Sequence, residues 1–61
     1  MYTRYAALRD KQGIRDADVA KATGISQTVF TDWKNGKSVP KVDKLIKIAD
    51  FFHISLDEFV R

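Results

Sequence analysis

A chain of 61 residues with no cysteine must hold itself together without covalent staples. A domain this short buries only about 60% of the surface its unfolded chain exposes. Small scaffolds usually meet that shortfall with disulfides, a metal, a partner or very regular helix packing. Disulfides and thiolate metal sites are excluded here, and the lone histidine cannot build a zinc site. The eight carboxylates show no calcium-loop spacing. No metal or cofactor is therefore expected, and helix packing, helped by oligomerisation, is left. A hydrophobic content of 44% with 31% charged residues belongs to a globular chain. The longest apolar run is Tyr5-Ala6-Ala7-Leu8, which gives neither a membrane span nor a signal-peptide core. One domain over residues 1–61, in an intracellular protein, is the expectation.

The apolar spacing predicts an all-α fold of five helices, at about 2–12, 16–23, 26–35, 41–52 and 55–60. Tyr5 and Leu8 mark the first, and Val19, Ala20 and Thr23 the second. Phe30 and Trp33 lie three apart on one face of the third. Val42, Leu45, Ile48, Ala49 and Phe52 recur at three- and four-residue steps along the fourth. The single proline and the three glycines fall at helix boundaries, and no useful segment alternates with period two. Ser26 is placed to cap the third helix, and Ser55 with Glu58 forms a capping-box pattern at the fifth. Ile14–Val19, Ile25–Phe30 and Ile54–Phe59 all have the five-residue spacing of a hydrophobic staple. The second helix has the weakest start, since its implied cap is Arg15, with Asp16 as the alternative.

Charge is distributed unevenly. Five lysines (34, 37, 41, 44 and 47) face one acid, Asp43, between Lys34 and Lys47. Asp50, Asp57 and Glu58 follow in a stretch with no lysine or arginine before Val60. A basic strip of this kind is either a solvated helix face or a track for phosphates.

The segment from Val19 to Ser26 turns a tight corner between two short helices. Ala20 is small enough to let the third helix cross closely, Gly24 can take positive φ at the corner, and Ile25 plugs the gap beneath it. Phe30 and Trp33 pin the third helix to the body and leave its opposite face outward, which makes a helix-turn-helix. The sequence here resembles the Cro/CI-type (XRE-like) helix-turn-helix domains of phage repressors and bacterial regulators. Val19-Ala20, Gly24-Ile25-Ser26, Phe30, Trp33, Asn35-Gly36, Pro40, Leu45, Ile48-Ala49 and Ile54-Ser55 carry the resemblance, which runs from about Tyr5 to Val60. It implies a five-helix bundle whose third helix enters the DNA major groove. It also implies binding as a dimer to two-fold related half-sites, in the cytoplasm of a bacterial host cell.

The outward face carries Gln27, Thr28, Val29, Thr31 and Asp32, the positions that match the family's base-contacting ones. A glutamine amide matches adenine N6 and N7, a valine suits a thymine methyl, and a carboxylate can accept from cytosine N4. Phosphate contact falls to Ser26, Lys34, Asn35, Gly36, Lys37, Ser38 and Lys41, with Lys44 adding charge. Asp16 stands where relatives often carry a phosphate-contacting glutamine, so a contact there passes to backbone N–H groups or Arg15. Lys34 replaces a usual acid that pairs with an arginine matching Arg9, which leaves Arg9 to Asp32 or to DNA. His53 reads as the residue that ends the fourth helix.

A dimer contact is expected near Phe52, Ile54 and Phe59, where adjacent aromatics cannot all face one core. The leading reading is a sequence-specific DNA-binding regulator, a repressor rather than an activator. The other is an antitoxin or protein-interaction module on the same fold. No enzyme is expected, because the chain has no nucleophile with a base, no carboxylate pair and no phosphate loop. No small-molecule ligand or membrane partner is expected either.

Overall fold

Tyr5 lies at the centre of the packing and is fully buried. In the computed structural model, which describes residues 2–61, its ring stacks on Phe30 at 5.2 Å and on Trp33 at 5.3 Å. The edge of Phe52 meets it at 6.1 Å. Five helices surround this cluster: α1 (Tyr2–Lys11), α2 (Asp16–Thr23), α3 (Gln27–Lys34), α4 (Val42–Phe51) and α5 (Leu56–Val60). Among the described residues there is no strand. α2 packs on α3 and α4, and α5 closes the bundle against α1 and α4. Val19, Ala20, Ile25, Leu45, Ile48, Ala49 and Phe59 complete the core.

The helices are those expected, with trimmed ends. Gln12 falls in the turn after α1, and Ser26, Lys41 and Ser55 are caps rather than first residues. Asn35 and Phe52 close α3 and α4. Ser26 and Ser55 accept the Thr28 and Glu58 amides at 3.3 and 3.1 Å. At α2 the cap is Arg15, not Asp16. The poor capper is offset from the other side, because the Asp18 carboxylate accepts the Arg15 N–H at 2.9 Å.

α2 ends at Gly24, whose φ of 74° is left-handed and whose N–H bonds the Ala20 carbonyl. Thr23 reinforces the corner, its hydroxyl donating to the Val19 carbonyl at 2.7 Å. α4 ends the same way without glycine: His53 takes φ 60°. The next amide, Ile54 N–H, returns to the Ala49 carbonyl at 3.1 Å.

Three expectations need correction. Val42 was expected on the buried stripe of α4, yet it is 61% exposed, because it is the first residue of the helix and the core covers the stripe only from Leu45 onward. Phe52 and Phe59, expected at a dimer surface, are 6% and 0% exposed, and Ile54 is half-buried against the same core. The adjacent aromatics divide as anticipated, but Phe51 is the one left half-exposed. Arg9, expected to turn to Asp32 or to DNA, instead donates from Nη1 to Asp16 Oδ1 at 2.8 Å.

Candidate nucleic-acid interface

The rear face of α3 is held by three rings from other helices, Tyr2, Tyr5 and Phe59. Phe30 and Trp33 stack on Tyr5, while Trp33 also meets Tyr2 at 5.4 Å and Phe59 at 6.3 Å, both edge-on. Offset and edge-to-face aromatic pairs add about 0.5–1.5 kcal/mol each beyond the area they bury. An eight-residue helix would be marginal by itself, and these contacts with α1 and α5 fix it in place. Ile25, buried beneath the corner, sets its entry.

The front face stands clear. Gln27, Thr28 and Thr31 are exposed, and the Thr31 hydroxyl donates back to the Gln27 carbonyl at 3.3 Å. Val29 and Asp32 differ from the rest. Both are half-buried, and Val29 rests partly on the core rather than projecting fully into solvent. The first two turns of α3 thus offer an amide and two hydroxyls outward, with an apolar group and a carboxylate along the edges.

The residues expected to contact phosphate flank this face, Ser26 before α3 and the others at its end and beyond. Ser26, Lys34, Asn35, Gly36, Lys37, Ser38 and Lys41 are all exposed. Gly36 takes φ 73°, which lets the Lys37 amide bond the Asp32 carbonyl at 2.8 Å and turns the chain back past the end of α3. The basic strip is not continuous. Lys41 and Lys44 border a cleft with Val29 and Ser38, whereas Lys47 lines another with Ala22, Thr23, Asp50 and Phe51.

At the other end of α3, a cleft of about 430 Å³ is bordered by Gln27 together with Arg9, Arg15, Asp16 and Ala17. Here Asp16 Oδ1 receives two donors, the Tyr5 hydroxyl at 2.6 Å and Arg9 Nη1 at 2.8 Å. Arg9 also donates to the Tyr2 hydroxyl at 3.2 Å and, through Nε, to Asp10 at 3.0 Å. Burial, then the bond to Asp16, pushes the Tyr5 phenol far above its ordinary value. The bond to Asp16 likewise holds the Arg9 guanidinium more firmly protonated than usual. The carboxylate is thereby occupied inside the bundle. Arg15, whose side chain is 85% exposed, is the cation beside Gln27. The sequence named Arg15, with backbone N–H groups, as a source of phosphate contact beside an acid that cannot donate, and its exposed side chain at this cleft fits that role.

A family model described as helix-turn-helix matches residues 6–59. The chain is similar to the cryptic phage CTXphi transcriptional repressor RstR of Vibrio cholerae serotype O1. The two are 40% identical over 42 residues, which make up 69% of this chain and 38% of that protein. It is also similar to the HTH-type transcriptional activator BcrR of Enterococcus faecalis, 28% identical over 53 residues, 87% of this chain and 26% of that one. The matches therefore span well under half the length of either relative. No solved structure matches. With the corner at Gly24, the aromatic-backed α3 and a family match over nearly its whole length, the chain belongs to the XRE-type helix-turn-helix family.

Proposed function

We propose that this chain is a sequence-specific DNA-binding module of a transcriptional regulator, reading the major groove with α3. The observation that carries the reading is the division of α3 into an aromatic face locked in the core and a polar face free of it. In this reading Gln27, Thr28, Val29, Thr31 and Asp32 meet base edges. Ser26, Lys34, Asn35, Gly36, Lys37, Ser38 and Lys41 grip phosphates and set the register. Arg15 joins that grip at the start of α2. Binding is as a dimer on a palindromic operator, and the outcome is repression, in line with the name of the relative at 40% identity. The apolar side chains free for a two-fold contact are Val42, Ile46 and Val60 rather than Phe52 and Phe59. The protein-interaction reading would be favoured by an exposed hydrophobic C-terminal surface, and Phe52 and Phe59 add nothing to one because both are core.

Selection of bound sequences from random duplex DNA tests the proposal. A palindrome with half-site centres about one helical turn (~34 Å) apart is expected. With about five phosphates neutralised per subunit, log K against log salt should fall with a slope of roughly −4 to −5. A slope near zero, or no enriched sequence, refutes it. Gln27→Ala should relax preference at one or two base pairs, while Lys37→Ala should weaken all duplexes alike and flatten the slope by about one. A reporter whose promoter overlaps the selected site should fall silent, and a rise in its output would refute repression.

A further inference from the structure

A third cleft, of about 390 Å³, runs between the outer side of α3 and the start of α4. Val29 lines it from α3, and Val39 and Pro40 line it from the connecting segment. Lys41 and Lys44 contribute ammonium groups to the same cleft, with the Ser38 hydroxyl beside them. Val39 is 60% exposed, so its side chain is not spent on the core. Asp43, in the first turn of α4, is the sole acid among the lining residues.

This pairing of chemistries narrows the occupant. Two valines on an otherwise polar face favour a small hydrocarbon group over an ion. Two lysines in the same cleft favour an anion next to it. A DNA strand presents both at short range. The hydrocarbon group that a base shows in the major groove is the C5-methyl of thymine, with its phosphate on the adjoining backbone. 5-Methylcytosine carries the same methyl at the same place.

We infer that the Val29–Val39 cleft receives the C5-methyl group of a pyrimidine, with Lys41 and Lys44 on the adjoining phosphate. Val39 then reads sequence from outside the recognition helix. This rests on the DNA-reading proposal and extends it to a second element of the chain.

The whole 61-residue chain is titrated by fluorescence anisotropy against the selected duplex. Each pyrimidine in turn is offered as thymine or uracil, and as cytosine or 5-methylcytosine. At one pyrimidine per half-site the methyl should tighten binding by about fourfold, the worth of burying one such group. Val39→Ala should bring that ratio towards one without loss of helicity, because Val39 lies outside the core. Val29→Ala should lower the ratio as well, at some cost in stability because Val29 rests partly on the core, and Lys41→Ala should weaken every duplex alike while keeping the ratio. A response in both pairs shows that the methyl is read on either base. A response to thymine alone supports the inference with thymine as the source. Tight binding with no methyl response anywhere, or an unchanged ratio in Val39→Ala, overturns it. Failure to bind any duplex refutes the DNA-reading proposal itself.

Discussion

Asp16→Ala separates the two donors that converge on one oxygen. The Tyr5 ring is fully buried and its hydroxyl donates to Asp16 at 2.6 Å. Removing the acceptor strands that hydroxyl, at a cost of about 1–3 kcal/mol. The Arg9–Asp16 pair, with both side chains about one-fifth exposed, adds about 0.2–1 kcal/mol. The sum is roughly 1–4 kcal/mol against a total stability of roughly 3–9 kcal/mol for a domain of this length. Urea titration followed by the single, buried Trp33 reads the loss directly. The Tyr5→Phe background completes the cycle. With no hydroxyl to strand, Asp16→Ala there should cost at most about 1 kcal/mol, leaving a coupling of about 1–3 kcal/mol between the two residues. Additive losses, or an Asp16→Ala variant within about 0.5 kcal/mol of the parent, would show that the bond does not hold α1 to α2.

Tyr5 also sets an alkaline limit. Its folded value lies above the unfolded one near 10, so its contribution is complete below about pH 10. Above that, parent stability should fall relative to Tyr5→Phe by up to about 1.4 kcal/mol per pH unit; parallel pH profiles for the two proteins would contradict this. His53→Gly should raise stability by up to about 1 kcal/mol in thermal melts, because His53 holds a left-handed φ of 60°. Gly24→Ala should do the reverse by about 1–2 kcal/mol, although a Cβ there meets nothing within 4 Å, so the cost is conformational. Phe59→Ala should destabilise the monomer by about 3–5 kcal/mol, whereas Val60→Lys should leave it nearly unchanged. Circular dichroism melts at several concentrations check both, and a Phe59→Ala variant that melts like the parent would return that ring to a surface role.

Local signals carried much of the architecture. The three-residue step from Phe30 to Trp33, the serine caps and the left-handed corner at Gly24 depend on neighbours within one turn, and each lies where the sequence placed it. His53 belongs with them, because a helix end is read from its own few residues. The misreadings concern partners remote in sequence. Arg9 found Asp16 across the α1–α2 junction, a pairing that depends on how the two helices cross. Val42 matched the helical period, yet it is the first residue of α4, ahead of the turns that carry Leu45, Ile48 and Ala49 into the core. Phe52 and Phe59 looked surplus only because the rings they meet, Tyr5 and Trp33, lie far from them in sequence. In the candidate interface, exposure of the polar residues followed from the amphipathic pattern, whereas the cleft joining Val29 to Val39 required the path of the α3–α4 segment in space.

Keeping the aromatic back of α3 apart from its polar front has a consequence for how such a protein can change. The letters that anchor the helix, Phe30 and Trp33, are not those turned to solvent, Gln27, Thr28 and Thr31. Replacing the second set costs the fold little, so a lineage or a designer can rewrite the target a few positions at a time on an unaltered chassis. The first set allows no such freedom, and neither does Tyr5, which makes the opening helix as much a part of any new specificity as the residues that spell it.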